Sequence, residues 1–404
     1  MRILIGGSPC THWSIAQTKN RETEPSGMGW ELFLNYRIAR DKYKPEYFLY
    51  ENNKSMAPAI REKITEELGV EPVEINSALV SAQSRKRLYW CGRRNADGTY
   101  SRVDVPQPED RGILLRDVLE HGEAWRGKSY TLKANYGKTS AANYFDGGHY
   151  PAPGAAQPVR VDCAPGASQS KRIYSPDGKS VPLQARPNGG GADGAATGTY
   201  AIPAGMAWSG HAKAGDPSSF EMRDDQKSNA LTVGHQNRLM VTSAGATPQP
   251  VCEVRGGMAT IKGRTYPIRL ADGDYIIRKL SVTECKRLQT VPDGYVFPVS
   301  DTQAYKMLGN GWTVDVIAHI LGCFDGLTAE PVEVLSMYDG MSCGHIALDK
   351  LGAQVSAYYA MEIDKWAIQT TQHNYPDTVQ LGDAFGVRDD GWWSRLKGKN
   401  DGLH

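Results

Sequence analysis

No Cys-x-x-Cys pair occurs among the seven cysteines of this 404-residue chain, and their number is odd. Both facts argue against a disulfide framework and against a structural zinc site, and they predict a reducing compartment. The nine histidines show no metal-ligand spacing either. No apolar run approaches the roughly 18 residues that cross a bilayer. The first apolar run, Ile3-Leu4-Ile5, is too short for the core of a secretory signal, and Gly6-Gly7-Ser8-Pro9 interrupts it. The chain is therefore expected to be cytoplasmic and not secreted. An excess of either charge is also missing. The 46 Lys and Arg against 45 Asp and Glu leave a formal +1, which says little about partners, because local patches matter more than the sum.

What is present divides into three zones of different texture, and the length itself predicts more than one domain. Residues 1–125 alternate apolar strands with helical stretches. Residues 57–69 read as a helix closed by Gly69, and residues 70–94 as strand, loop and strand. Residues 126–275 are rich in Gly, Pro, Ala and Ser and lack long apolar periods. A loose theme recurs there in "KSYTLKANYG" (128–137), "KSVPLQARPNGG" (179–190) and "KSNALTVGHQ" (227–236), which predicts short strands between long loops. Residues 276–404 become regular again. Ser281 with Glu284 three residues on marks a capping box at a helix start.

The stretch 332–383 reads as βαβαβ, the front half of a doubly wound parallel α/β sheet. Strands are expected at 332–338, 355–361 and 378–381, and helices at 344–351 and 364–374. In such sheets the ligand lies beyond the carboxyl ends of the strands. The first turn, Tyr338-Asp339-Gly340-Met341-Ser342-Cys343-Gly344, lacks the Gly-x-Gly-x-x-Gly spacing of a dinucleotide site. Glu362, 22 residues after Gly340, is placed to accept from both ribose hydroxyls. Asp383, after the third strand, is placed to accept from an adenine amino group. A nucleotide-type ligand follows, with S-adenosylmethionine (SAM) one occupant that fits. No fourth strand comes after Asp383, whereas "RILIGG" (2–7) is a core-like strand without neighbours. The two halves are expected to be exchanged, with Met1 and His404 on the same side of one domain.

Read in that rotated order, the chain resembles a circularly permuted cytosine-C5 DNA methyltransferase. "GGSPC" (6–10) resembles the family's nucleophile motif, "YENN" (50–53) its Glu-Asn-Val motif and "QSRKR" (83–87) its Gln-x-Arg-x-Arg. "RKLSVTECKRLQTVPDGY" (278–295) resembles the helix after the target-recognition domain. "MLGNGWTVDVIAHIL" (307–321) resembles the Gly-Asn-Ser-Val helix, and "VLSMYDGMSCG" (334–344) the cofactor turn. The resemblance implies a doubly wound, SAM-dependent (Rossmann-like) sheet with a smaller, β-rich inserted recognition domain. The catalytic halves would be 1–125 and 276–404, and the recognition domain 126–275.

The resemblance also implies roles. Cys10 would add to C6 of cytosine, Glu51 would protonate or hydrogen-bond N3, and Arg85 would donate to the ring carbonyl and offset charge around Glu51. Arg87 would brace the site or touch phosphate. Pro9, Asn310, Trp312, Tyr338, Asp339, Gly340, Met341, Cys343, Glu362, Ile363 and Asp383 would surround SAM. The partner would be double-stranded DNA with its target base flipped out. Arg160, Lys171, Arg172, Arg186 and Arg238 would contact it, and a loop near 15–30 with Lys19, Asn20 and Arg21 would close over the base. A cognate restriction endonuclease is a further expected partner, and the oligomeric state stays open. Thr11, Asn53 and Gly311 depart from the family pattern without touching Cys10, Glu51 or Arg85. The same chemistry on RNA, or a silent DNA-binding relative, are the competing readings.

Overall fold

The computed structural model describes residues 1–14, 21–122, 124, 127–134, 136 and 270–392, with the segments 154–158, 173–174, 199–200, 206–208, 220–222, 252–261 and 264–267. Two compact units are present. The first takes Met1–Glu120, Arg126–Gly154 and Lys279–His404, and the second takes His121–Trp125 and Ala155–Arg278.

The first unit is built on an eight-stranded sheet. In chain order its strands are β1 (Arg2–Gly6), β2 (Tyr47–Asn53), β3 (Val73–Asn76), β4 (Lys86–Arg94), β5 (Tyr100–Arg102), β6 (Val332–Met337), β7 (Val355–Met361) and β8 (Val379–Gln380). They lie in the order β8-β7-β6-β1-β2-β4-β3, with β5 on β4. The strands from β8 to β2 are parallel; β4 is antiparallel to β2, β3 and β5. β1 thus sits in mid-sheet, with Ile3 beside both Val334 and Tyr47. Its Ile3-Leu4-Ile5 is buried on both faces, the reason a central parallel strand reads as an unbroken apolar run. The core on one face gathers Phe33, Tyr36, Phe48, Tyr50, Trp90, Leu335 and Met337 from strands and helix alike.

Helices cover the sheet. α1 (Gly27–Tyr43) follows β1, and α2 (Pro58–Leu68) starts on its proline and ends at Gly69, whose φ of 73° any other residue would resist. α3 (Val282–Leu288) carries the capping box between Ser281 and Glu284. α4 (Asp301–Asn310), α5 (Val314–Leu321), α6 (Cys343–Leu351) and α7 (Lys365–Asn374) follow. The Asp364 carboxylate accepts from the Trp366 N–H at the start of α7. After Asp383 the chain forms a short 3-10 turn, Ala384–Arg388.

The first unit includes residues that the composition assigned to the middle zone. The Lys128 ammonium donates to the carbonyls of Ala78, Ser81 and Ile113, and Ser129 bridges to Gln83. The first of the three recurrent segments therefore belongs with the large sheet. The other two, like Arg160, Lys171, Arg172, Arg186, Arg238, Lys19, Asn20 and His404, lie outside the described residues. The second unit has a sheet in which Cys252–Arg255 pairs with Met258–Ile261 and Gly273–Lys279, and Met258–Ile261 with Arg264–Pro267. Gly154–Pro158 lies on the outer side of Gly273–Lys279. Among the described residues no helix is long and apolar enough to cross a membrane, and no group of His, Cys, Asp or Glu is arranged to hold a metal.

Candidate active site

Sheet register decides where the site lies. Gly6 is level with Met337 and with Tyr50, Met337 with Met361, and Ala360 with Gln380. The parallel strands therefore end along one edge, and the residues just beyond them emerge side by side. These are Gly7 to Cys10 after β1, Tyr338 to Cys343 after β6, Glu362 after β7 and Asp383 after β8. Glu51 stands near the end of β2, one residue past Tyr50. This is the edge at which open α/β sheets take their ligands.

The segment after β1 is pinned to β2. The Ser8 and Tyr50 hydroxyls share a 2.6 Å hydrogen bond, and the Asn52 amide donates to the Ser8 carbonyl at 3.1 Å and to the Tyr50 oxygen at 3.1 Å. Asn52 is fully enclosed, so these bonds form in a low-dielectric setting where an unmade bond is costly. Pro9 is exposed, and the main chain of Cys10 opens a short 3-10 turn to His12. Beyond it, the Glu22 carboxylate accepts from the Trp13 indole and from the Gly29 amide at the start of α1, and Arg21 donates to the Ser55 carbonyl.

Glu51 is only 9% exposed. Its Oε1 lies 3.0 Å from Arg87 Nε, and its Oε2 accepts from the Trp312 indole N–H at 3.0 Å. Gly7 lies against it: a β-carbon there would stand 2.8 Å from Oε2 and 3.5 Å from the Trp312 nitrogen. A carboxylate, a guanidinium and the approach to Cys10 thus share one small volume.

The turn after β6 is conformationally costly. Tyr338, Gly340 and Ser342 have φ of 59°, 61° and 57°, the left-handed region that costs a non-glycine residue about 1 kcal/mol or more. Hydrogen bonds hold it there. Asp339 accepts from the Tyr358 hydroxyl at 2.8 Å and from the Ser342 hydroxyl, and Tyr338 donates to the Leu32 carbonyl at 2.6 Å. Burial is the main reason the Asp339 carboxyl is pushed up to about 6, with the charge of Glu362 adding to it. The Gly340 amide donates to Glu362 at 2.8 Å, and the amides of Ile363 and Asp364 donate to the other Glu362 oxygen. Nothing lies within 4 Å of where a Gly340 β-carbon would be. Ile363 is 73% exposed beside this opening. Asp383 is exposed and caps the turn after β8 through the Phe385 amide, and Asn310 is exposed at the end of α4. Met341 and Cys343 are buried, and burial pushes the Cys343 thiol up to about 12, so it serves as packing.

A family model for C-5 cytosine-specific DNA methylases matches residues 1–323. The chain belongs to that family. The enzyme is thus a DNA cytosine-5-methyltransferase that uses SAM. It is similar to the Type II methyltransferase M.HpaII of Haemophilus parainfluenzae, 24% identical over 330 residues that cover 78% of this chain and 69% of the relative. It is similar to the orphan methyltransferase M.SPRI of Bacillus phage SPR, 22% identical over 372 residues, covering 79% of this chain and 81% of that one. A shorter stretch of 101 residues is 39% identical to the Type II methyltransferase M.SsoII of Shigella sonnei, covering 22% of this chain and 26% of that protein. A solved structure of an Entamoeba histolytica methyltransferase aligns with a TM-score of 0.34 at 11% identity, over 79% of this chain and 77% of that one.

Among the residues named from sequence, the structure brings Glu51, Arg87 and Trp312 together and places Arg85 elsewhere. Arg85, expected beside Glu51, is 5% exposed and points elsewhere: its guanidinium donates to the carbonyls of Leu132, Gly309 and Gly311 at 3.2, 3.3 and 3.0 Å. The cation paired with Glu51 is Arg87. The reason is register: Arg87 lies in β4 opposite Asn53, on the face that also presents Glu51, whereas Arg85 precedes the strand. Trp312, expected only at the cofactor, turns its indole N–H to Glu51. The residues present fit SAM. Open space over Gly340, the Glu362 carboxylate at a strand end and the bare face of Ile363 are what an adenosine needs. Gln83 and Gly309 stand in motifs quoted from the sequence but are given no role there. Gln83 donates to Leu288 and Gln289 and accepts from the Leu132 amide. A β-carbon at Gly309 would collide with the main chain of Lys133 and Ala134, so only glycine lets α4 seat against that segment.

Proposed function

We propose that this enzyme methylates C5 of a flipped-out cytosine in duplex DNA through a covalent adduct at C6. The observation that carries the reading is the shared position of Glu51, Arg87 and the segment leading to Cys10, on the sheet edge that also holds the Asp339–Gly340 turn. Cytosine C5 is a poor nucleophile, so the ring must first be activated. The Cys10 thiolate adds to C6 while Glu51 delivers a proton or a hydrogen bond to N3, and C5 gains enamine character. Arg87 keeps Glu51 in place and balances its charge. Gly340, Glu362, Ile363 and Asp383 would hold SAM, whose sulfonium methyl would pass to C5 and leave S-adenosylhomocysteine. Loss of the C5 proton to a base then expels the Cys10 thiolate and restores the aromatic ring and the free enzyme.

A base inside a duplex cannot reach such an edge, so it is flipped out. We assign the second unit to target recognition, and the order of the motifs to a circular permutation, which the pairing of β1 with both β2 and β6 supports. The bacterial and phage relatives support a role in the cytoplasm of a bacterium or an infected cell, and the Type II relatives support a cognate restriction endonuclease as a partner.

The test is trapping on duplex DNA carrying 5-fluorocytosine in the presence of SAM, on which the C5 fluorine cannot leave. Wild type should form an adduct stable in denaturing gels, and Cys10→Ala none. An adduct with Cys10→Ala would show that the nucleophile is another residue. Faster methylation of RNA than of duplex DNA would overturn the substrate.

A further inference from the structure

Trp312 stands between the cofactor turn and the acid. Its indole N–H donates to Glu51 Oε2 at 3.0 Å, the oxygen turned toward Gly7 and hence toward the segment that leads to Cys10. The segment that carries it is seated on Cys343, the last residue of the turn and the first of α6. Gly311, just before it, packs on the same turn, with its β-carbon position 3.2 Å from the Cys343 sulfur and 3.7 Å from that of Met341. The other Glu51 oxygen is taken by Arg87.

A carboxylate held by donors on both oxygens cannot rotate about its last torsion. The donor on Oε1 is a charged guanidinium from the same sheet, and the donor on Oε2 comes from a segment seated on the cofactor turn. We propose that Trp312 is a positioning residue for catalysis: its indole N–H aims Glu51 Oε2 at the base, and the packing of the adjoining Gly311 on Cys343 and Met341 couples that aim to the SAM-binding turn. This rests on the assignment of Glu51 to cytosine N3. It places the effect of Trp312 in the activation of the base, a step earlier than methyl transfer.

The distinguishing measurement is release of tritium from C5 of [5-³H]cytosine in duplex DNA, with and without SAM. That exchange requires addition at C6 and action at N3 but no methyl transfer. The variants are Trp312→Phe and, to keep the two-ring shape while replacing only the N–H by sulfur, β-(3-benzothienyl)alanine at position 312. Both are expected to slow exchange about tenfold, the scale of one hydrogen bond to a charged group, with KM for DNA and equilibrium SAM affinity within about twofold of wild type. In a Glu51→Gln background, the same change at position 312 should cost nothing further. Equal loss in both backgrounds, loss that tracks SAM affinity, or no loss with the benzothienyl residue would each overturn the proposal. Exchange that survives Cys10→Ala would instead overturn the covalent reading on which it rests.

Discussion

Gly7 and Glu51 touch: a β-carbon at Gly7 would stand 2.8 Å from both the main-chain oxygen and Oε2 of Glu51. The segment that delivers Cys10 and the carboxylate that faces the base are therefore one packed unit. Gly7→Ala should force one of them to move. We expect about 1–3 kcal/mol of destabilisation and at least a tenfold drop in the rate of adduct formation with 5-fluorocytosine DNA. Chemical denaturation and gel trapping measure the two effects separately, and a fully active, fully stable Gly7→Ala would show that the contact does not matter.

Arg85 and Arg87 should part ways in a double-mutant cycle with Glu51. Arg87 and Glu51 are both largely buried and 3.0 Å apart, so their stability coupling should be about 1–3 kcal/mol. Glu51→Gln should then relieve part of the damage done by Arg87→Ala. Arg85 serves three main-chain carbonyls, so Arg85→Ala should be destabilising by itself and additive with Glu51→Gln within about 0.5 kcal/mol. Urea titration of the four variants decides it.

Asp339 predicts a pH effect with a definite sign. Burial raises its carboxyl from 3.8 to about 6, so between these values the folded protein holds a proton that the unfolded chain has lost. The stabilising share of this group is full below about pH 4 and disappears as pH climbs through 6. Asp339→Asn keeps an acceptor for Tyr358 and removes the titration. The stability of wild type relative to Asp339→Asn should fall by about 2 kcal/mol between pH 4.5 and 7.5, measured by urea denaturation at each pH. A constant difference would contradict the burial of this charge.

Ile363 is the most exposed of the large apolar side chains described, beside the opening over Gly340. Nothing in the fold uses it, so Ile363→Ala should leave the unfolding midpoint within the range of ordinary surface changes, about 0.5 kcal/mol. SAM affinity should weaken roughly three- to tenfold if the side chain covers the adenosine, in line with about 25 cal/mol per Å² of apolar surface covered. Isothermal titration gives both the affinity and its enthalpy, and unchanged affinity would remove Ile363 from the site.

The sheet was legible because its signals are local. Ile3-Leu4-Ile5 reads as a strand covered on both faces, and Asp364, Gly69 and Gly352 mark helix ends that the structure reproduces. The expected strands at 332–338 and 378–381 are each slightly shorter, at 332–337 and 379–380, since backbone pairing and not composition sets where a strand stops. The identity of Glu51's cation was not legible. Side chains two apart would share a face in a continuous strand, so the choice between the two arginines rests on where β4 begins, with Arg87 inside it opposite Asn53 and Arg85 before it, and that requires the β2–β4 pairing. The Trp312–Glu51 bond joins residues 261 apart and leaves no trace in any local pattern. The middle zone resisted reading for a different reason: its described strands are mostly short, and short strands carry little periodic signal.

The seat of β1 has a consequence for how this polypeptide is made. Its neighbour on one side, β2, emerges from the ribosome almost at once, but the other, β6, is more than 300 residues downstream. At ordinary synthesis rates, about 5–20 residues per second, that delay lasts tens of seconds. During it, an apolar ribbon with one unpaired edge is exposed to every other nascent chain in the cell. Expression at low temperature or with abundant chaperones should therefore raise the yield of native enzyme more than any single stabilising substitution at the surface.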